Sequence, residues 1–254
     1  MTTQITLLAE TLSLTFTEAG AGRPYLLLHG GAGPGSMAGL AGALAKEGRS
    51  ILPTHPGFDG QPRPEWFCGV RDLATAYLDL IERLDLEDVV LVGNSIGGWI
   101  AMEMGLRGSS RISGLVLLNA VGIEPNEETG EIADPAKLGP KVAAYAFYDP
   151  ERFAIIPTGP DAAATMARNR ATLSVYAGGG LMYDPQLRGR LPQLITPTLV
   201  VWGESDRIVT LAYGRELAGL IPSASFETVK GAGHFPQIEQ LDTVVELCKT
   251  LEPA

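Results

Sequence analysis

The sequence predicts an α/β protein, with a mostly parallel eight-stranded sheet, helices on both faces and a helical insertion. Three observations carry this prediction. Short aliphatic runs alternate with amphipathic helical patterns through residues 25–118, the rhythm of a sheet wound by crossover helices. One of these runs, Val89-Val90-Leu91-Val92, passes at once into Gly93-Asn94-Ser95-Ile96-Gly97-Gly98 and then into an apolar helix. Between residues 122 and 191 the rhythm stops, over a stretch too long for an ordinary connection.

In chain order, alternating residues 5–9 and 12–16 suit an antiparallel hairpin at a sheet edge. Tyr25-Leu26-Leu27-Leu28 is a solid apolar run, as expected of a strand buried on both faces. It ends in His29-Gly30-Gly31-Ala32-Gly33-Pro34-Gly35, followed by a helical segment over 37–47 and a short strand over 50–53. The loop from Thr54 to Pro64 is too rich in Pro and Gly for regular structure. Leu73, Tyr77, Leu80, Ile81 and Leu84 keep helical spacing over 70–84, and a further buried strand covers 112–118. Helical patterns over 135–148 and 161–176 fill the insertion, which reads as a cap over the strand ends, with Gly178-Gly179-Gly180 as a candidate hinge. Strands over 198–202 and 225–229 resume the sheet. The domain reading is therefore a core of residues 1–121 and 192–254 with a cap at 122–191.

Composition narrows the function classes. With 45% hydrophobic and 19% charged residues the chain is globular, and 254 residues are enough for a substantial core. A formal charge of −10 disfavours nucleic acid and anionic membranes as partners, because both require basic patches. The N-terminus lacks a signal-peptide pattern, no apolar stretch is long enough to span a bilayer, and two cysteines make no disulfide framework. A cytoplasmic protein acting on a small molecule is expected. His29, His55 and His234 lack metal-ligand spacing and the glycine loop lacks a dinucleotide fingerprint, so neither metal nor cofactor is expected.

The chemistry gathers at strand ends, where ligands bind in such sheets. Gly93-x-Ser95-x-Gly97 between strand and helix is a nucleophile elbow: glycines let the two elements pack closely, and the serine is lifted above the sheet. Asp206 and His234 each follow a predicted strand, giving the order Ser, Asp, His. In that arrangement His234 accepts the Ser95 proton and Asp206 holds the imidazole in the right tautomer. Glu204 is a rival carboxylate, and Asp206 has the competing reading of a helix cap near Thr210. The glycine loop after residue 28 and the elbow converge on an oxyanion hole made by the backbone N–H groups of Gly31 and Ile96. His29 is read as orienting that loop, and His55 as structural or as touching substrate. Gly30, Phe235, Tyr145 and Phe147 are the substrate-binding candidates, with Tyr148, Phe153, Tyr176, Met182 and Tyr183 as further aromatic or long apolar cap residues.

Taken together, His29-Gly30-Gly31, Gly93-Asn94-Ser95-Ile96-Gly97-Gly98, Trp202-Gly203-Glu204-Ser205-Asp206 and Gly231-Ala232-Gly233-His234-Phe235 resemble the motifs of the α/β-hydrolase fold over essentially the whole chain. The resemblance implies a capped serine hydrolase. Gly30-Gly31-Ala32-Gly33-Pro34-Gly35 and Gly93-Asn94-Ser95 are similar to the glycine loop and elbow of the meta-cleavage-product C–C hydrolases. Those enzymes commonly carry Trp after the catalytic His, where this chain has Phe235, and a basic cap residue, for which Arg168 and Arg170 are the candidates. The expected activity is therefore hydrolysis of a small ester or lactone, with C–C hydrolysis second and a non-catalytic binding role third. An Asp nucleophile, as in haloalkane dehalogenases and epoxide hydrolases, is excluded by Ser95.

Overall fold

The computed structural model describes residues 1–154 and 161–251. The strands are β1 (Thr2–Leu7), β2 (Leu12–Gly20), β3 (Pro24–Leu28), β4 (Arg49–Thr54), β5 (Val89–Asn94), β6 (Ile112–Leu118), β7 (Thr198–Gly203) and β8 (Ala224–Val229). They form one sheet in the order β1-β2-β4-β3-β5-β6-β7-β8, antiparallel at the β1–β2 and β2–β4 pairings and parallel from β4 to β8.

Strand alternation sorts side chains to two faces. Leu26, Leu28, Leu91, Leu115, Leu117, Val200 and Trp202 enter one apolar cluster, while Leu27, Val90, Val92, Val116, Leu118, Leu199 and Val201 enter the other. Three helices, α2 (Val70–Arg83), α3 (Ile96–Gly105) and α9 (Leu211–Gly219), cover the first face. The second is covered by α1 (Gly35–Leu44) and α11 (Leu241–Lys249), which bring Leu40, Leu44, Val244 and Cys248. Both faces of the central strands are buried, which explains why these strands read as unbroken apolar runs.

The segment between β6 and β7 holds α4 (Pro135–Leu138), α5 (Val142–Ala146), α6 (Pro150–Phe153), α7 (Ala162–Tyr176) and α8 (Leu187–Arg190). Its described residues add no strand, only an isolated bridge between Gly122 and Tyr183. The continuous helix expected over 135–148 is broken, because Gly139 takes φ +53° and Pro140 follows it in a 3-10 turn. Gly178, Gly179 and Gly180 all have positive φ and terminate α7. Ala146, Phe147, Tyr176, Ala177 and Leu187 belong to the same apolar cluster as α2 and α3, so the insertion shares its core with the sheet. Residues 155–160 of the expected cap lie outside the described residues. Among the described residues no helix is long and apolar enough to cross a membrane.

Candidate active site

Ser95 is the single residue between β5 and α3, at φ 56° and ψ −119°. A non-glycine residue in that region is strained and persists only where its surroundings hold it. Ser95 is held on both sides: its N–H donates to the Leu118 carbonyl (3.0 Å), and its carbonyl accepts from Gly98 (3.0 Å) and Val121 (3.2 Å). The flanking glycines are steric necessities. A Cβ on Gly93 would lie 2.3 Å from the Gly97 carbonyl oxygen, and one on Gly97 would lie 2.0 Å from that of Leu28. Asn94 ties the elbow to its neighbours, with Nδ2 donating to the carbonyls of Leu118 (3.1 Å) and His234 (3.0 Å).

Asp206 and His234 meet in the loops after β7 and β8. His234 Nδ1–H donates to Asp206 Oδ2 at 2.8 Å, and both side chains are almost completely buried. Asp206 Oδ2 also accepts from Asn119 Nδ2 (2.7 Å), while Oδ1 accepts the backbone N–H groups of Ile208 (2.8 Å) and Val209 (3.1 Å). Four donors therefore fix both carboxylate oxygens, and the imidazole tautomer leaves Nε2 as the basic nitrogen. Capping of α9 falls to Thr210, whose Oγ1 accepts from Tyr213 N–H at 3.2 Å, so the competing reading of Asp206 as that cap does not hold. Glu204 is exposed, and the carboxylate that His234 Nδ1 meets is that of Asp206.

The glycine loop after β3 rests on the other two histidines. His29 Nδ1–H donates to the Gly30 carbonyl (2.7 Å), and its Nε2 accepts the His55 backbone N–H (3.0 Å). His55 Nε2–H returns a hydrogen bond to the His29 carbonyl (2.9 Å), and Nδ1 accepts from the Tyr77 hydroxyl. The rings stack at 3.6 Å. The bond accepted at His29 Nε2 requires that ring to be neutral, and a neutral His55 satisfies the remaining donors and acceptors. Burial pushes the His29 pKa down to about 4, opposed by the Gly30 hydrogen bond and Asp59. Burial, followed by the neighbouring His29, holds His55 well below 6.5.

Gly30 packs on the elbow, since a Cβ there would sit 3.1 Å from the Ser95 Cβ. Among the described residues no acceptor in the surrounding loops takes the backbone N–H of Gly31 or of Ile96. The insertion covers this loop. Leu173 of α7 reaches to 2.5 Å from where a Gly31 Cβ would stand. The same helix is docked by Asn169 Nδ2 to Asp59 (2.8 Å), Thr172 Oγ1 to the Gly57 carbonyl (3.0 Å) and Tyr176 Oη to that of Pro56 (2.7 Å).

Of the substrate-binding candidates, Phe235 lies edge-on to His234 (5.1 Å) and stacks on Phe147 (5.1 Å). Tyr145 is half-buried against the core, and its engaged group is the backbone carbonyl, which accepts from Arg207 N–H (3.0 Å). Tyr148 is exposed, Tyr176 spends its hydroxyl on Pro56, and Arg168 and Arg170 face solvent. Asn119, Asn94 and Leu173 are neighbours of the site that sequence reasoning missed. Asn119 sits at the end of β6 with φ +46°, a place where the sequence offers no carboxylate but does offer the amide that orients one. Among the described residues no three His, Cys, Asp or Glu side chains gather as a metal-ligand set.

Comparison with known proteins agrees with this architecture. The model of the alpha/beta hydrolase family matches residues 25–247. A 2-hydroxy-6-oxo-6-(2'-aminophenyl)hexa-2,4-dienoic acid hydrolase of Metapseudomonas resinovorans is 28% identical, the alignment covering 88% of this chain and 82% of the relative. The meta-cleavage product hydrolase of Pseudomonas fluorescens superposes with a TM-score of 0.75 at 24% identity, covering 96% of this chain and 95% of that one. A thermophilic esterase of Thermogutta terrifontis superposes with a TM-score of 0.72 at 23% identity, covering 98% and 97%.

Proposed function

This chain belongs to the alpha/beta hydrolase family, and on that premise we propose that it is a serine hydrolase of a small ester or lactone, working through an acyl-enzyme on Ser95. The observation that carries the reading is the buried His234–Asp206 pair, held at 2.8 Å in a loop that Asn94 ties to the elbow. Ser95 Oγ attacks the substrate carbonyl as His234 Nε2 takes its proton, and Asp206 stabilises the imidazolium. The oxyanion receives the N–H groups of Gly31 and Ile96. Collapse expels the alcohol, protonated by His234, and a water deprotonated by the same nitrogen then releases the acid. Residues 122–191 act as the cap, with Leu173 and the Phe147–Phe235 stack as the apolar wall of the acyl site.

C–C hydrolysis is the second reading, supported by the Metapseudomonas relative. A dienoic acid carries a carboxylate, which calls for a cationic partner. The candidates, Arg168 and Arg170, face solvent, Arg168 being hydrogen-bonded to Thr165. The apolar neighbours of the site instead favour an uncharged acyl group.

The test is hydrolysis of a panel of chromogenic esters of short to medium acyl chain, alongside one vinylogous diketone. Ser95→Ala is expected to lower kcat by about 10⁴-fold or more while leaving the fold intact. Turnover of the diketone alone moves the assignment to C–C hydrolysis. Ester turnover by Ser95→Ala at the wild-type rate overturns the mechanism.

A further inference from the structure

Glu239 ends the short helix α10 (Pro236–Glu239) five residues after His234, and it is buried without a cation. Among the described residues no Lys, Arg or His pairs with it. Its carboxylate instead gathers three backbone N–H groups from two distant stretches of chain. Oε2 accepts from Gly233 (2.6 Å) and Tyr148 (3.2 Å), and Oε1 from Asp149 (2.9 Å). Gly233 precedes His234, while Tyr148 and Asp149 belong to the insertion. A carboxylate oriented by amide dipoles of this kind is a directional clamp, because each charge-assisted bond has one good geometry.

The same stretch of insertion touches both loops of the acid–base pair. His234 N–H donates to the Ala146 carbonyl (2.7 Å) and Arg207 N–H to that of Tyr145 (3.0 Å). Residues 145–149 thus lie as a strap across the Asp206 loop and the His234 loop. The approach is so close that a Cβ on Gly233 would fall 2.4 Å from the Ala146 carbonyl oxygen. Glu239 joins strap and His234 loop by side-chain hydrogen bonds to both, beside the apolar Phe147–Phe235 stack.

We infer that Glu239 is a positioning residue, which locks the 145–149 strap onto the His234 loop so that the imidazole is aligned only while the strap is seated. The inference rests on the serine-hydrolase reading above. It assigns to the insertion a part in building the acid–base pair, in addition to covering the substrate. Glu239 touches no reacting atom and acts through Gly233 and His234.

The experiment compares wild type, Glu239→Gln and Ser95→Ala on an ester that wild type turns over, with residue-resolved amide exchange on the first two. The expected result is a kcat lower by about 10- to 100-fold in Glu239→Gln with KM changed less than about threefold, the signature of lost alignment rather than lost binding. The Gly233, Tyr148 and Asp149 amides should exchange faster together while those of β5 and β6 stay protected. An unchanged kcat, or a loss that comes with uniformly faster exchange across the sheet, overturns the inference. If Glu239→Gln does not fold, wild-type exchange decides: one shared protection level for the three amides supports the clamp, and three unrelated levels overturn it. Activity retained by Ser95→Ala would sink the serine mechanism instead, and the exchange result would still judge the clamp.

Discussion

The three histidines of this chain are all buried at strand ends, yet they sit in two contrasting environments. His29 and His55, after β3 and β4, face each other, a tyrosine hydroxyl and backbone carbonyls. His234, after β8, faces a carboxylate. Burial alone disfavours the imidazolium and makes the first two neutral struts, which hold the glycine loop against the elbow. Asp206, fixed by three further donors, gives the third imidazole a defined tautomer with Nε2 left unprotonated, which is what the proposed base requires.

The sharpest way to break this contrast is to neutralise the carboxylate. Asp206→Asn is expected to reduce kcat by about 10⁴-fold, as a wrong imidazole tautomer does in serine triads, whereas Glu204→Gln should stay within about twofold of wild type. Steady-state kinetics on the two variants check this. A large loss in Glu204→Gln with a small one in Asp206→Asn would reassign the acid and dissolve the comparison.

A smaller effect probes the neutral pair through stability. The folded state holds His29 at about 4, below the ordinary 6.5, so between these values the unfolded chain binds more protons than the folded one. Stability from this site is therefore complete above pH 6.5, falls as the pH drops, and levels off near pH 4. The loss from His29 amounts to about 3 kcal/mol, and His55, shifted the same way, adds to it. Denaturant unfolding followed from pH 7.5 to 4.5 checks the slope. A midpoint independent of pH over that range would mean that these rings are not buried neutral in solution.

The two environments also differ in how far they were legible in the sequence. The placement of Ser95, Asp206 and His234 past the ends of β5, β7 and β8 was readable because each follows a strand pattern, and strand ends converge in a parallel sheet. The hairpin edge, the central strands and α2 were readable from periodicity, since alternation and helical spacing are local properties. The His29–His55 stack was not readable, because 26 residues separate two rings that meet only when β3 and β4 pair. Asn119 and Glu239 were missed for the same reason, as their roles are set by partners in other loops. The insertion was located by its broken rhythm, but its division was misjudged at Gly139, and its shared core left no periodic trace.

In the proposed mechanism the buried Asp206–His234 pair serves a nucleophile at Ser95. Peptide mass spectrometry after treatment with a fluorophosphonate tests it most directly, since that reagent captures a serine only when an aligned base activates it. The predicted result is a single adduct on the peptide containing Ser95, absent from Ser95→Ala and formed far more slowly in Asp206→Asn. Ester turnover by a protein that gives no adduct at Ser95, or carries its adduct on another residue, would contradict the account.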